Sequence, residues 1–199
     1  MVDALYCAPG NAGIESVAQC IDIAANDTAA LIAFAKENDI GLTVIGPEDP
    51  LANGILDALD DAGLKAFATS ASAARLEASK AFAKEVMAGA KIPTAAYARF
   101  DDAAAAKAYV REHGAPLVVK ADGLAAGKGV TVAHDVDAAL QAIDDAMVTK
   151  TFGDAGVEVV IEDFLEGEEA SIFALSDGNS YVILASSQDH KPALDNDRG

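Results

Sequence analysis

The chain has 199 residues, enough for one large domain or two small ones, and 52% of them are hydrophobic, which excludes a disordered chain. The formal net charge of −18, from 32 acidic and 14 basic residues, argues against binding to nucleic acids or to anionic membranes. No apolar run approaches the ~20 residues that a membrane-spanning helix needs.

The first third of the chain alternates predicted strands and helices. Strands are predicted at residues 4–8, 17–23, 42–45 and 65–68, and the one at 42–45 is expected to be buried. A helix capped by Asp27 and another from about Leu51 separate them. This alternation predicts an α/β fold with a doubly wound parallel sheet, although such a domain usually opens with a strand and a glycine-rich turn that we expect to be missing here.

The pattern changes after residue 68. Two helices are predicted between residues 70 and 89, broken near Ala78 and Ser79, with Lys80 and Lys84 on one face. Residues 92–94 end the second helix, and we expect a domain boundary in this region. Further strands are predicted at 96–100, 117–119, 130–133, 157–161, 171–175 and 181–185, with one helix capped by Asp101 or Asp102 and another capped by Asp135.

A glycine-rich loop joins two of these strands. Lys120 ends the first strand, and Gly123, Gly127, Lys128 and Gly129 follow it. Glycines let backbone N–H groups face an anion, and lysines add positive charge, so the loop suits phosphate. It is not a P-loop, because only three residues separate the first two glycines and a strand follows. On the loop alone, a mobile hairpin with solvated lysines is an equal alternative.

Several ordered segments together resemble the glycinamide ribonucleotide synthetase family of ATP-grasp enzymes. The resemblance covers essentially the whole chain and is carried by Gly46–Glu48, Ser79–Phe82, Val118–Val130, Phe152–Gly156, Ile161–Ser171 and Ser187–Lys191. It implies a pre-ATP-grasp domain at residues 1–75 and an ATP-grasp domain at 76–199, with a lid subdomain at about 96–163. It also implies that the chain is a fragment, inactive alone, because the family continues beyond both ends.

The resemblance further implies a site for the phosphates of ATP. Lys80 and Lys120 would contact the phosphates. The loop glycines, Gly123, Gly127 and Gly129, would form a flap that closes over them, with Lys128 as an added cation. The alternatives from the residues themselves are a solvated helix lysine for Lys80 and an internal ion pair for Lys120.

The same resemblance implies a site for the nucleoside. The backbone from Glu162 to Leu165 would hold adenine by hydrogen bonds, with Phe164 and Leu165 as an apolar wall. Glu169 would accept hydrogen bonds from the ribose hydroxyls, a role that suits an ionised acid. The alternative for Glu169 is one more solvated charge in an acidic protein.

The implied reaction joins glycine to 5-phosphoribosylamine with ATP. Pro47 and Glu48, which follow a predicted strand, and Asp189, His190 and Lys191 would face the substrates. Mg²⁺ or Mn²⁺ would be required, and its ligands are expected beyond Gly199, so none is assigned in this chain.

Other classes remain open beside this one. The chain could be another ATP-grasp ligase or carboxylase, or an ATP-binding module without catalysis. Cys7 and Cys20 lack the spacing of metal ligands and fit a reducing cytoplasm as small core residues. We expect a monomer, with no nucleic-acid or membrane partner.

Overall fold

The computed structural model describes residues 2–125 and 127–188. These residues divide between a first compact unit that ends at Phe164 and a second that begins at Leu165. Across the described residues, every helix is too short or too polar to serve as a membrane span.

The N-terminal part of the first unit alternates strands and helices, as predicted. Its elements are β1 (Tyr6–Cys7), β2 (Gln19–Cys20), α1 (Thr28–Glu37), β3 (Thr43–Val44), α2 (Glu48–Ala52), α3 (Ile55–Asp61) and β4 (Ala66–Phe67). A 3₁₀ turn at Ile14–Ser16 precedes β2. Strands β1 and β2 pair in parallel, and so do β3 and β4, which confirms the predicted parallel pairing. Asp27 caps α1, and its side chain accepts from the N–H of Ala30 at 3.0 Å.

Two predictions in this region are wrong. The strand predicted to be buried at 42–45 is largely exposed, since Leu42 and Val44 keep 57% and 64% of their surface and Thr43 and Ile45 are only half-buried. A short apolar run does not reveal whether other elements cover it. The single helix predicted from Leu51 is two helices, because Gly54 takes a left-handed φ of +83° between α2 and α3.

Two helices follow, α4 (Ala71–Ala78) and α5 (Lys80–Gly89), and their junction confirms the predicted break. Ser79 is extended there, with φ −136° and ψ 113°. Its hydroxyl accepts from the N–H of Phe82 at 3.1 Å, so Ser79 caps α5. This cap places Lys80 on the first turn of the helix.

A four-stranded antiparallel sheet forms the rest of the first unit. Its elements are β5 (Tyr97–Phe100), α6 (Ala103–His113), β6 (Leu117–Ala121), β7 (Val130–Ala133), α7 (Val136–Ile143) and β8 (Val159–Asp163). The strand order is β5-β8-β6-β7. Asp102 caps α6 and Asp135 caps α7, as predicted. Strand β8 begins two residues later than predicted, because a 3₁₀ turn at Gly153–Gly156 precedes it and leaves Val157 exposed.

The two faces of this sheet have different chemistry. Leu117, Val119 and Ile161 point to one face and join Val110 of α6 and Ile143 of α7 in the hydrophobic core. Each such side chain contributes about 1.5–3 kcal/mol when fully buried. Alternate residues point to the opposite face.

The opposite face carries the charged residues. Glu162 lies opposite Val118 on β6 and Tyr97 on β5, so these side chains share a face. Lys120 is two residues beyond Val118 and shares that face as well.

The second unit contains a hairpin. Strands β9 (Ala174–Ser176) and β10 (Tyr181–Ile183) pair antiparallel, and a bridge joins Ser171 to Ser187. The strand predicted at 171–175 is therefore shifted toward the turn.

Candidate functional site

The charged face of the sheet and one face of α5 enclose a cavity of about 200 Å³. It is lined by Lys80, Ala83, Lys84, Met87, Thr94, Lys120 and Glu162. Three lysines against one glutamate give the lining an excess of positive charge. A hollow lined by Tyr109, Glu112 and His113 lies elsewhere on the first unit, and no lysine is among those lining residues. The lysine cavity is therefore the better candidate for an anionic ligand.

Glu162 lies between two lysines. Its Oε2 is 3.0 Å from Lys84 Nζ, and its Oε1 is 2.9 Å from Lys120 Nζ. The side chains of Lys84 and Glu162 are only 6% and 9% exposed, whereas that of Lys120 is 27% exposed. The ion pair considered as an alternative for Lys120 is therefore present, and Lys120 also lines the cavity.

Lys84 is a site residue to which the sequence reasoning assigned no role. Its ammonium donates to Thr94 Oγ1 at 2.7 Å and to the carbonyl of Ala95 at 3.3 Å, in addition to the ion pair with Glu162. Its ring neighbour is Tyr97, whose centroid is 5.5 Å from Nζ. The available signal was its position four residues after Lys80, which places both lysines on one helix face.

Lys80 is held by the glycine loop. Its Nζ donates to the carbonyl of Gly123 at 3.0 Å and to that of Asp122 at 3.3 Å. Burial lowers the pKa of Lys80 below its ordinary value of 10.5, nearby Asp122 and Glu77 oppose this, and Lys120 adds to it. Lys80 is thus a half-buried cation at the cavity and not a solvated helix lysine.

Asp122 is a second residue that the sequence reasoning missed. Its carboxylate accepts from the N–H of Ala81 at 2.6 Å and from the hydroxyl of Ser79 at 3.2 Å. Its carbonyl accepts from the N–H of Lys80 at 3.2 Å. These bonds join the start of the glycine loop to the first turn of α5.

Glycine is required at the three loop positions for different structural reasons. A Cβ on Gly123 would lie 2.8 Å from Cα of Ala155, and one on Gly129 would lie 2.7 Å from Cβ of Ala125. Gly127 has a left-handed φ of +74° and open space around it. Lys128 is exposed. The described loop residues, 122–125 and 127–129, are not among those that line the cavity, although the carbonyl of Gly123 binds Lys80.

The remaining predicted residues are not among those that line the cavity, or they are outside the described residues. Phe164 is half-buried, and its ring centroid is 5.9 Å from that of His134. Pro47 and Glu48 are exposed where α2 begins. Leu165 and Glu169 belong to the second unit. Asp189, His190 and Lys191 lie outside the described residues.

In the described part of the chain, no group of three or more His, Cys, Asp or Glu side chains could hold a metal ion. Cys7 and Cys20 are free thiols of intermediate burial, which is less buried than the core position expected for them.

The chain is similar in sequence and in fold to known ligases. A phosphoribosylamine–glycine ligase from Brucella melitensis is 53% identical over 199 residues, covering 100% of this chain and 46% of that protein. The crystal structure of the same ligase from Thermotoga maritima superposes with a TM-score of 0.77 at 25% identity, covering 98% of this chain and 46% of that one. This chain therefore spans about half the length of these relatives.

A more distant structure shares the fold alone. The biotin carboxylase domain of a 2-oxoglutarate carboxylase from Hydrogenobacter thermophilus, solved with MgADP, ADP and bicarbonate, superposes with a TM-score of 0.70 at 20% identity. It covers 92% of this chain and 44% of that one.

Family models match the chain from end to end. The phosphoribosylglycinamide synthetase N domain matches residues 1–77, and the ATP-grasp (A) domain of the same family matches residues 78–199. The parallel strand pairs lie within residues 1–77, and the four-stranded antiparallel sheet lies within residues 78–199. The fold is therefore a pre-ATP-grasp domain followed by an ATP-grasp domain. This chain belongs to the phosphoribosylglycinamide synthetase family.

Proposed function

We propose that the lysine cavity binds the phosphates of ATP. The observation that carries this proposal is that Lys80 and Lys120, from separate segments, line one cavity. Ammonium groups in a partly buried cavity gain more from a phosphate than they would in water, because the local dielectric is lower. The MgADP complex of the Hydrogenobacter thermophilus biotin carboxylase domain, which shares this fold, supports a nucleotide as the ligand.

The glycine loop would act as a flap over these phosphates. Asp122 and Gly123 anchor its start, while Gly127 and Lys128 are exposed and open to rearrangement. A closing flap excludes water from a reactive intermediate. Lys128 would add a positive charge on closure.

The nucleoside would lie along the end of β8. We assign the adenine contacts to the backbone from Glu162 to Leu165, with Phe164 and Leu165 as the apolar wall. Glu169 is assigned to the ribose hydroxyls. Support comes from the family resemblance and from the position of Glu162 in the cavity lining.

For the whole protein we propose the ligation of glycine to 5-phosphoribosylamine in purine biosynthesis. A carboxylate oxygen of glycine attacks the γ-phosphorus of ATP, which gives glycyl phosphate and ADP. The amine of phosphoribosylamine then attacks the acyl carbon, the C–O bond to phosphate breaks, and glycinamide ribonucleotide forms. Lysines that balance the charge of the phosphates would contribute to the first step.

The proposal extends to the substrate contacts, the domain bounds, the compartment and the metal. We assign Pro47 and Glu48, with Asp189, His190 and Lys191, to the substrates. We also propose domains at 1–75 and 76–199, with a lid subdomain at about 96–163. The change of family model between residues 77 and 78 supports the boundary near 75, although the compact units divide after Phe164. The proposed protein is a cytoplasmic monomer that uses Mg²⁺ or Mn²⁺, and no described residue is assigned to the metal.

The experiment is an ADP-release assay on the whole protein that carries this chain. Glycine with phosphoribosylamine should release ADP and form an amide, whereas D-alanine or bicarbonate should not replace glycine. Release that depends on bicarbonate would indicate a carboxylase. Release with another amino acid but not glycine would indicate a different ligase.

A further inference from the structure

The buried ion pair of Lys84 presents a question of charge. Without Lys84, the carboxylate of Glu162 on β8 would neutralise Lys120, the lysine that we assign to the nucleotide phosphates. The cavity would then offer little net charge from this pair to an anion. The structure instead places a second lysine on the same carboxylate, with each carboxylate oxygen facing one ammonium.

Lys84 has its hydrogen-bonding capacity filled. An ammonium group has three N–H donors. Those of Lys84 are directed at Glu162 Oε2 at 3.0 Å, Thr94 Oγ1 at 2.7 Å and the carbonyl of Ala95 at 3.3 Å. No donor is left for a ligand, so direct contact between Lys84 and a phosphate would require breaking one of these bonds.

Lys120 differs in this respect. Its side chain is more than four times as exposed as that of Lys84, at 27% against 6%, and it lines the same cavity. Glu162 takes one of its three donors within the described residues. The remaining donors can therefore turn to an anion in the cavity.

We propose that Lys84 is a positioning residue that neutralises Glu162, so that Lys120 keeps its positive charge for a polyphosphate anion. This inference rests on the proposed nucleotide site and extends it to a residue outside the ligand contacts. Lys84 acts through Glu162 and does not touch the nucleotide. Its role is to leave the lining with positive charge in excess where one lysine and one glutamate would cancel.

The test uses tripolyphosphate and ATP as probes in calorimetric titrations of the chain at fixed ionic strength. Lys84→Met should weaken tripolyphosphate binding about tenfold, equivalent to about 1.4 kcal/mol. In this variant Lys120 is the one remaining partner of Glu162 among the described residues, so its positive charge is cancelled by the carboxylate. Lys84→Met/Glu162→Gln should restore the wild-type affinity within about twofold, since the carboxylate that occupies Lys120 is gone. Calorimetry separates a folding effect from this one, because unfolded chain lowers the fitted stoichiometry, whereas lost neutralisation lowers the affinity of the folded chain.

Matched controls come from an ion pair elsewhere in the same unit. Lys107 pairs with Asp144, and neither residue lines the cavity. Lys107→Met and Lys107→Met/Asp144→Asn should both bind tripolyphosphate as the wild type does. If Lys84→Met fails to fold, Lys84→Met/Glu162→Gln decides, because it removes the buried carboxylate together with its buried partner. It should bind tripolyphosphate within about twofold of the wild type, and weaker binding would contradict the inference.

Three results would overturn the inference. Unchanged binding by a folded Lys84→Met would show that Lys120 does not need this neutralisation. A double variant as weak as Lys84→Met would show that Lys84 contacts the anion itself. Wild-type chain that binds neither tripolyphosphate nor ATP would remove the proposed nucleotide site and this inference together, whereas the first two results leave that site intact.

Discussion

The carboxylate of Asp122 accepts a 2.6 Å hydrogen bond from the N–H of Ala81, a residue 41 positions earlier in the chain. Ala81 is only 3% exposed, so this N–H has no access to bulk water. The first N–H groups of a helix have no partner within the helix. Asp122 supplies that partner from the start of the glycine loop and so couples the loop to the helix that carries Lys80.

Asp122→Ala should therefore lower the free energy of unfolding by about 1–3 kcal/mol, because the buried N–H of Ala81 loses its acceptor. It should also weaken ATP binding, because the glycine loop loses its side-chain bonds to Ser79 and Ala81 on the first turn of the helix that carries Lys80. Chemical denaturation and ATP titration measure the two effects.

Asp135→Ala is the matched control for Asp122→Ala. Asp135 caps α7 through the N–H of Ala138, within its own segment and away from the cavity. Its loss should cost about 1 kcal/mol of stability and leave ATP affinity unchanged. Equal effects of the two variants on ATP affinity would argue against a role for Asp122 in coupling.

Gly123→Ala tests the close packing at the start of the loop. The added Cβ would lie 2.8 Å from Cα of Ala155, so the backbone must shift. We expect a loss of about 1–3 kcal/mol in the free energy of unfolding. Gly41→Ala is the control, because a Cβ there meets nothing within 4 Å. A Gly123→Ala variant as stable as Gly41→Ala would contradict this packing.

Lys80 gives a prediction for pH. Burial lowers its folded-state pKa below the ordinary 10.5, so at neutral pH the folded protein bears the cost of a desolvated charge. As pH rises through the lowered pKa toward 10.5, the folded state releases this proton before the unfolded state does. The unfolded state then binds more protons, so stability increases with pH in that window.

The measurement is the unfolding free energy of wild type relative to Lys80→Met from neutral pH to 10.5. The difference should move in favour of the wild type as pH rises, while contributions from other groups largely cancel. A difference that is flat, or that moves in favour of Lys80→Met, would mean that Lys80 is not desolvated as described.

Local signals predicted much of the fold. Ser79 after an alanine-rich stretch marked the break between α4 and α5, and Asp27, Asp102 and Asp135 marked helix starts, because capping is set by neighbouring residues. The burial of the strand at 42–45 was not predictable, since it depends on elements distant in sequence.

The site residues likewise fall into those that the sequence predicted and those that it did not. Lys80 and Lys120 stood out because they belong to recognisable segments. The roles of Lys84 and Asp122 were missed because their partners, Glu162 and Ala81, are far along the chain. Only the folded structure brings those partners together, through the β6–β8 pairing and the contact between the loop and α5.

The most direct test of the nucleotide site is ATP titration of the chain and of Lys80→Met, Lys120→Met and the exposed-lysine control Lys36→Met. We predict that wild type and Lys36→Met bind ATP alike. Each cavity variant should bind about tenfold or more weakly, because a charge-assisted bond to phosphate is lost. Wild-type affinity in both Lys80→Met and Lys120→Met, with the fold intact, would contradict the assignment of this cavity to the phosphates of ATP.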